Sequence, residues 1–491
     1  MLSPRLRTVL VRVSRGAVFL VAFAIPPVVA GAVGMTAAIS GAYQPAASTV
    51  SSMPSPVRPH DPSKPTAVVV LSTMGTEVTD VLAPYEVLAA AEAFNVYAAA
   101  PVRQAVPLGG GLDLMPQLTF DELDTRLMGS SPDVIVVPAM PGTRRAGIKG
   151  DAAVGDWLNR HFHQADIVLS VCNGAEVLGD AGLLEGRRVT ANWAGIDTFL
   201  ERYREAEWLR GLRYVEDGNL ISTAGITSGV NGTLRVVSKY LGEEAAASLA
   251  RRVGYPDQRL DASPAIATQQ ITMSDGILYT LMAGFDWGKD SVGVALADGV
   301  GEIELASVVD VYPGQAFTAN VTTLSVGGPK GAVTSKHGLT LVPRHGLDDA
   351  PTLDRLLVPG LDGENTAGSE LRVWARDRGL EPQYIHAGSA GRFPFDLTLT
   401  DLARQESTTT AKFDAKALEY PTDHLTLRGP GWPIHLLLVP LGLGLAGLGL
   451  AIAVDRWLSR RSAARRRTAG RTDHRRLQPG VTVGRQAVGI R

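Results

Sequence analysis

The chain has one cysteine, Cys172, in 491 residues, so no disulfide forms within it and its fold is held by packing alone. Charge is missing from two long stretches, Gly16–Tyr43 and Leu436–Val454. A helix needs an apolar run of ~20 residues to cross a bilayer, so each stretch is a candidate span. Basic residues stand at the outer end of both: Arg5, Arg7, Arg12 and Arg15 before the first, RWLSRRSAARRR after the second. The positive-inside rule then puts both basic flanks in the cytoplasm and everything between the spans outside, as in a multi-pass cell-membrane protein. The first run exceeds the roughly 7–15 apolar residues of a signal peptide. An uncleaved anchor is therefore expected, with a cleaved signal peptide, interrupted at Pro26-Pro27, as the alternative.

The formal net charge of −2 conceals a split. Fifteen of the 47 Lys and Arg residues lie in the two flanks, where Asp455 and Asp473 are the only acids, so the middle holds 32 basic and 47 acidic residues. An acidic, exported middle argues against nucleic acid as its partner. The basic tail is better explained by topology signalling than by lipid recognition.

At 45% hydrophobic and 20% charged residues the composition is globular, with length for two or three domains. The expected order is a basic N-terminus (1–15), an anchor or signal peptide (16–43), a Pro/Ser-rich extended linker (44–65), an α/β domain (66–255), a connector (256–289), a second α/β region (290–430), a second span (433–454) and a basic tail (455–491). Strand-like and helical runs alternate from Ala67–Leu71 through Ile167–Val171, the pattern of a parallel sheet with helices on both faces. Sites in such sheets gather at the carboxyl ends of the strands, where Cys172 and the loop Thr73–Asp80 would meet.

The stretch IVLSVCNGAEVLGDAGLLEGRRVTANW (167–193) carries the chemistry. A short buried strand, Ile167–Val171, runs straight into Cys172, then Asn173-Gly174-Ala175, then a helical pattern. Such a bend lifts its residue out of the sheet, and small residues after it avoid backbone clashes, as in a nucleophile elbow. Unpaired N–H groups at the helix start favour a thiolate, so the thiol is expected below its free pKa of ~8.5.

Three blocks in order resemble the ThiJ/PfpI family, of class I glutamine amidotransferase-like, flavodoxin-like fold: VVVLSTMGTEVTDVLAPYEVLAAAEAF (68–94), DVIVVPAMPG (133–142), and the cysteine block followed by ISTAGITSGVNGTLRVV (221–237). Within it the nearest resemblance is to isonitrile hydratases and to the amidase-like sensor half of AraC-type regulators. The resemblance implies Cys172 as nucleophile and Asp80, four residues before Pro84, as the acid that hydrogen-bonds the thiol. Glu77 is the fallback acid. It further implies an anion-stabilising pocket from the N–H groups of Asn173 and Gly142, and substrate-side hydroxyls on Thr227 and Ser228, for which helix capping is the equal alternative.

Two departures matter. Many members carry His before the tryptophan where this chain has Asn192, which cannot carry a proton near neutrality but can orient a ligand. The family's Ser-Gly-Ile-Asp becomes Ser228-Gly229-Val230-Asn231. A Cys-His protease or glutaminase mechanism thereby loses its base.

After Asp290 the first domain recurs weakly. VGVALADGVGEIELASVVDVY (292–312) lays over the first block with Glu304 at the place of Asp80 and Asp310 at that of Glu86. HGLTLVP (337–343) matches GGLDLMP (110–116), DRLLVPGLDG (354–363) matches DVIVVPAMPG, and His386 falls near the cysteine position. The expected architecture is two tandem copies, the second degenerate, packed as an intrachain pseudo-dimer. A second site using His386 and Glu304 is the less favoured alternative. Two functions follow: a cysteine-dependent hydratase or hydrolase of a small molecule, or a catalytically silent ligand-binding or redox-sensing module. Neither calls for a cofactor or a metal.

Overall fold

The computed structural model describes residues 4–41, 55–145, 147, 149–255, 264–315, 317–327 and 331–476. Parts of the linker (44–54), the connector (256–263) and the basic tail (477–491) fall outside the described residues. Two compact units emerge, Met1–Ala32 with His435–Arg491, and Val33–Ile434.

In the first unit, helix α1 (Pro4–Gly41) lies antiparallel to the long C-terminal helix Leu438–Arg476. Arg12–Gly41 and Ile434–Ala464 are long and apolar enough to cross a membrane, and only 6% of each apolar window is buried. The helices meet through glycine: a Cβ on Gly447 would stand 2.1 Å from the Ala22 carbonyl oxygen, and one on Gly444 2.7 Å from the Phe23 ring. Small residues at the contact let the two helix backbones approach closely. The Arg15 guanidinium forks onto the Asp455 carboxylate at 2.8–3.1 Å, so the charged ends of both helices lie together. Pro26 and Pro27 do not interrupt α1, which runs through both. Gly447 leaves room for the Pro26 ring, which a Cβ there would meet at 2.8 Å.

In the second unit a seven-stranded sheet is built from β1 (Thr66–Val70), β2 (Asn95–Ala100), β3 (Leu118–Thr119), β4 (Val134–Val137), β5 (Ile167–Ser170), β6 (Tyr214–Asp217) and β7 (Leu220–Thr223). Their spatial order is β6-β7-β5-β4-β1-β2-β3. The sheet is mixed, not wholly parallel as expected, because β6 and β7 are joined by the two-residue turn Gly218-Asn219, and a connection that short forces an antiparallel pair. The central strands are buried throughout, which is why their sequences are unbroken runs of Val and Ile. Val68, Ile135 and Val168 pack with Trp157 and Phe162 beneath them.

A second, wholly parallel sheet has the order β10-β9-β8-β11-β12, from β8 (Asp290–Leu296), β9 (Ala319–Ser325), β10 (His345–Gly346), β11 (Arg355–Val358) and β12 (Pro382–Tyr384). In both sheets the first strand lies between the next long strand and the strand that runs into a proline.

Two features join these halves. The hairpin 106–115 pairs with the hairpin 333–343 in one four-stranded sheet, Met115 opposite Thr340 and Leu112 opposite Pro343. Helix α2 (Val78–Ala90) packs against α3 (Glu302–Asp310), and each sends an acid to the start of the other. Glu86 Oε2 accepts the Ile303 N–H at 2.7 Å, and Thr79 Oγ1 donates to Asp310 Oδ2 at 2.9 Å.

Residues 55–65 are docked rather than extended free. The Asn95 side chain donates to the carbonyls of Asp61 and Lys64, and Ser55 bonds Thr340. The connector contains a helix, α4 (Met273–Phe285), started by a Thr272–Asp275 capping box.

Candidate active site

Cys172 stands where the strand–bend–helix pattern puts it, two residues past β5 and just before the helix Gly174–Asp180. Its φ of 53° is a left-handed conformation that a non-glycine residue adopts only when its surroundings force it. The force comes from below: a Cβ on Gly174 would lie 2.0 Å from the Val137 carbonyl oxygen, so the helix start is pressed against β4 and only glycine fits.

The cysteine opens on a cavity of about 400 Å³. Glu77, Asn173 and Asn192 line it from the first half, with Trp193 beside them. From the later chain come Tyr279, Asp310, Phe317 and Ala417. Among the described lining residues there is no histidine, lysine or arginine.

Asp80 lies behind this wall, fully buried. It sits in the first turn of α2 rather than on a loop, because Glu77 caps that helix by accepting the Asp80 N–H at 2.6 Å. Asp80 Oδ2 accepts the Ala139 N–H at 3.0 Å, while Oδ1 has no hydrogen-bond partner. Burial is the largest influence on Asp80 and pushes its pKa up to about 8, with the Asp310 charge adding to it. Glu77 is pushed well above the usual carboxylate range, first by burial and then by Asp310 and Asp80. Glu77 and Asp310 hydrogen-bond carboxyl to carboxyl, which requires a proton on one of them.

The thiol does not behave as its helix-start position implies. Burial raises the Cys172 pKa well above the free value, and Asp80, Glu77 and Glu419 raise it further. One donor, the Asn173 N–H, acts the other way. Desolvation in an acid-lined recess outweighs the partial charge of a two-turn helix. Cys172 is thus a neutral thiol beside a neutral carboxyl at pH 7.

The other expected site residues divide. The Asn192 amide is spent on structure: Nδ2 donates to the Ala417 carbonyl at 3.1 Å and Oδ1 accepts the Ala194 N–H at 3.0 Å. Asn173 lines the cavity with Oδ1 unpartnered, but its N–H already serves the thiol. Gly142 does not line the cavity; it lies against the backbone of Met74, whose carbonyl oxygen a Cβ would meet at 1.8 Å. Thr227 neither caps its helix nor lines the cavity, since its hydroxyl donates to the carbonyls of Leu418 and Glu419. Ser228 is buried with Oγ unpartnered, also away from the lining.

His386 and Glu304 are both engaged with backbone. His386 Nδ1 accepts the Gly360 N–H, Glu304 Oε1 accepts the Leu361 N–H, and burial drives His386 down to about 3. Both pin the loop after β11.

Sequence reading missed Asp310, Tyr279, Phe317 and Glu419 as site residues. Asp310 carried a signal, its alignment with Glu86 across the repeat. Glu419 carried none: it sits at φ 52° and reaches back to the N–H groups of Gly225 and Trp193, with its pKa pushed to about 7 by burial.

Asp310→Asn is expected to move the titration of the buried carboxyls to lower pH, because a charge that raises Glu77 and Asp80 is gone. Infrared difference spectra of the protonated carboxyl C=O stretch against pH check this. An unchanged titration would separate Asp310 from the site.

The DJ-1/PfpI family model matches residues 66–239. The isonitrile hydratase of Pseudomonas putida is 33% identical over 172 residues, covering 34% of this chain and 68% of that protein. The HTH-type transcriptional regulator CdhR of Pseudomonas aeruginosa is 30% identical over 100 residues, 20% of this chain and 30% of that one. Among solved structures, a THiJ/PfpI family protein from Pseudomonas syringae has a TM-score of 0.34 at 24% identity, covering 39% of this chain and 76% of that chain. With a third of the residues shared across more than two thirds of the hydratase, this chain belongs to the DJ-1/PfpI family.

Proposed function

We propose that the chain is a membrane-tethered hydratase of a small electrophile, isonitrile hydratase-like, with Cys172 as nucleophile and Asp80 as its acid. The observation that carries this reading is a strained cysteine opening on a cavity with no histidine among its described lining residues, the raised carboxyl of Asp80 being buried behind its wall. A Cys-His mechanism needs a thiolate prepared by a base. Hydration of an isonitrile does not, because nucleophile and proton go to the same carbon. The S–C bond forms as the thiol proton passes by way of Asp80 to that carbon, giving a thioformimidate. Water then adds to the carbon, the nitrogen takes a proton, and the C–S bond breaks to release a formamide and the free thiol. One water is consumed and no redox partner is needed.

The test is direct. Full-length protein in detergent, given isonitriles, amides and aldehydes, is expected to form formamide from the isonitriles, while Cys172→Ala forms none. Absence of turnover by wild type on every member of the panel would overturn the proposal.

A second reading has its own support. The thiol is neutral and the Asn192 amide is fully engaged, which suits a ligand-binding module that kept the pocket and lost turnover, as in the sensor half of AraC-type regulators.

We infer that residues 290–430 are a degenerate second copy and that the α2–α3 pairing, with its exchanged acids Glu86 and Asp310, makes an intrachain pseudo-dimer. For topology, the antiparallel apolar helices with their charges at one end support spans whose basic flanks are cytoplasmic. Reporter fusions near Pro65 and Asp290 are expected to be active in the exported compartment, and a fusion at Arg491 inactive there. An exported Arg491 would sink that assignment.

A further inference from the structure

We propose that Glu86, Glu302 and His337 bind one divalent transition-metal ion, of the zinc or manganese class, at the seam between the two halves. The three come from separate elements: the C-terminal part of α2, the first residue of α3, and the turn of the hairpin 333–343. One carboxylate oxygen of each acid and one ring nitrogen of the histidine lie within 4.8 Å of one another, with both acids buried. The site is separate from the Cys172 cavity, none of whose lining residues it shares.

The orientation of the donors supports a metal beyond mere proximity. Glu302 is fully buried, and its Oε1 is held by the Ser335 hydroxyl at 2.6 Å and the His337 N–H at 2.9 Å. That leaves Oε2 beside His337 Nδ1 at 2.8 Å. Glu86 Oε2 is held by the Ile303 N–H at 2.7 Å. Its Oε1 has the Lys336 ammonium only at 4.0 Å, on a side chain that is 59% exposed. Each carboxylate thus has one oxygen held by protein donors, and in Glu302 the other, Oε2, faces the imidazole of His337. Outer partners of this kind orient ligands at metal sites.

Charge points the same way. Two buried acids and an imidazole this close form a donor set that a divalent ion would neutralise, the nearest other cation being the Lys336 ammonium at 4.0 Å. Such an ion would take one carboxylate oxygen from each acid and one ring nitrogen of His337. One nitrogen and two carboxylate donors suit Zn²⁺ or Mn²⁺. Calcium, which takes oxygen ligands, is disfavoured. Three protein ligands from both halves would clamp α2 to α3 and leave the remaining coordination positions to water.

The test uses full-length Cys172→Ala in detergent, so that the thiol contributes no binding, stripped with chelator and titrated with Zn²⁺ or Mn²⁺ by calorimetry. The expected result is one ion per chain, a metal-dependent rise in melting temperature, and at least ~10-fold weaker binding in Glu86→Gln, Glu302→Gln and His337→Ala. No ion bound by the parent, or undiminished binding in all three variants, overturns the proposal and leaves Glu302–His337 as an ion pair only. X-ray absorption of the zinc-loaded parent needs no variant. A single imidazole in an N/O shell is expected, and a shell without imidazole overturns the site.

Discussion

Cys172→Ser is expected to abolish formamide production, and Asp80→Asn to lower it by on the order of 10²-fold or more, the usual scale for a positioned acid. Serine at its free pKa is a far weaker nucleophile, and no histidine among the described cavity residues is there to activate it. Asparagine is the informative substitution at Asp80. Its carbonyl oxygen can keep the Ala139 hydrogen bond that Oδ2 now accepts, so the loss reports proton transfer rather than packing. Because Asp80 acts while protonated and its pKa is raised to about 8, wild-type activity is expected to hold through neutrality and fall as pH rises past that value. Asn192→His is expected to add little hydratase activity, since the amide it replaces holds the Ala417 carbonyl and carries no proton. If both Cys172→Ser and Asp80→Asn bind small ligands as wild type does, and none of the three turns any over, the binding-module reading stands instead.

The second large effect is on stability, and it runs opposite to ordinary acid denaturation. Melting temperature is expected to be higher near about pH 5.5 than at about pH 8, by several degrees. Asp80 is raised to about 8, and Glu406 and Glu419 to about 7, all with burial as the first cause. Between the unfolded carboxyl values near ~4 and these folded values, the folded chain holds more protons than the unfolded one. Stability is therefore full at the acid end of that window and is lost as pH rises through it. His386, driven down to about 3, and His161, lowered by burial, pull the other way below ~6.5. They are two groups against the three acids, with Glu77 and Asp414 also raised. The carboxylates held low, such as Asp275 with Lys416, lose their contribution only below the window. Asp414 offers a clean check, since it is buried with neither oxygen hydrogen-bonded. Asp414→Asn is expected to raise the melting temperature at about pH 8 and to flatten the pH slope. A melting temperature that climbs from pH 5.5 to 8 would contradict the buried-acid account.

Much of the first half was legible in the chain itself. The runs at Val134–Val137 and Ile167–Val171 became β4 and β5, because strands buried on both faces write themselves as unbroken β-branched stretches. The elbow was legible because its requirements are local: a strand end, a bend, and a glycine where no Cβ fits. The antiparallel β6 was not anticipated, although Gly218-Asn219 is a hairpin turn in plain view. The thiol was misread for a different reason. A helix start is visible in sequence, but the desolvation that outweighs it depends on what covers the cysteine.

Cys172 in its bend, the absence of a histidine before Trp193 and the two uncharged stretches are properties of the sequence by itself, each settled by neighbours within a few residues. The tertiary structure alone decided that Asp310 joins Glu77, that Tyr279 and Phe317 wall the cavity, that Thr227 holds the 418–419 backbone, and that Glu86, Glu302 and His337 converge. Those residues are up to hundreds of positions apart, and only the packing of α2 on α3 brings their charges close enough to set one another's protonation.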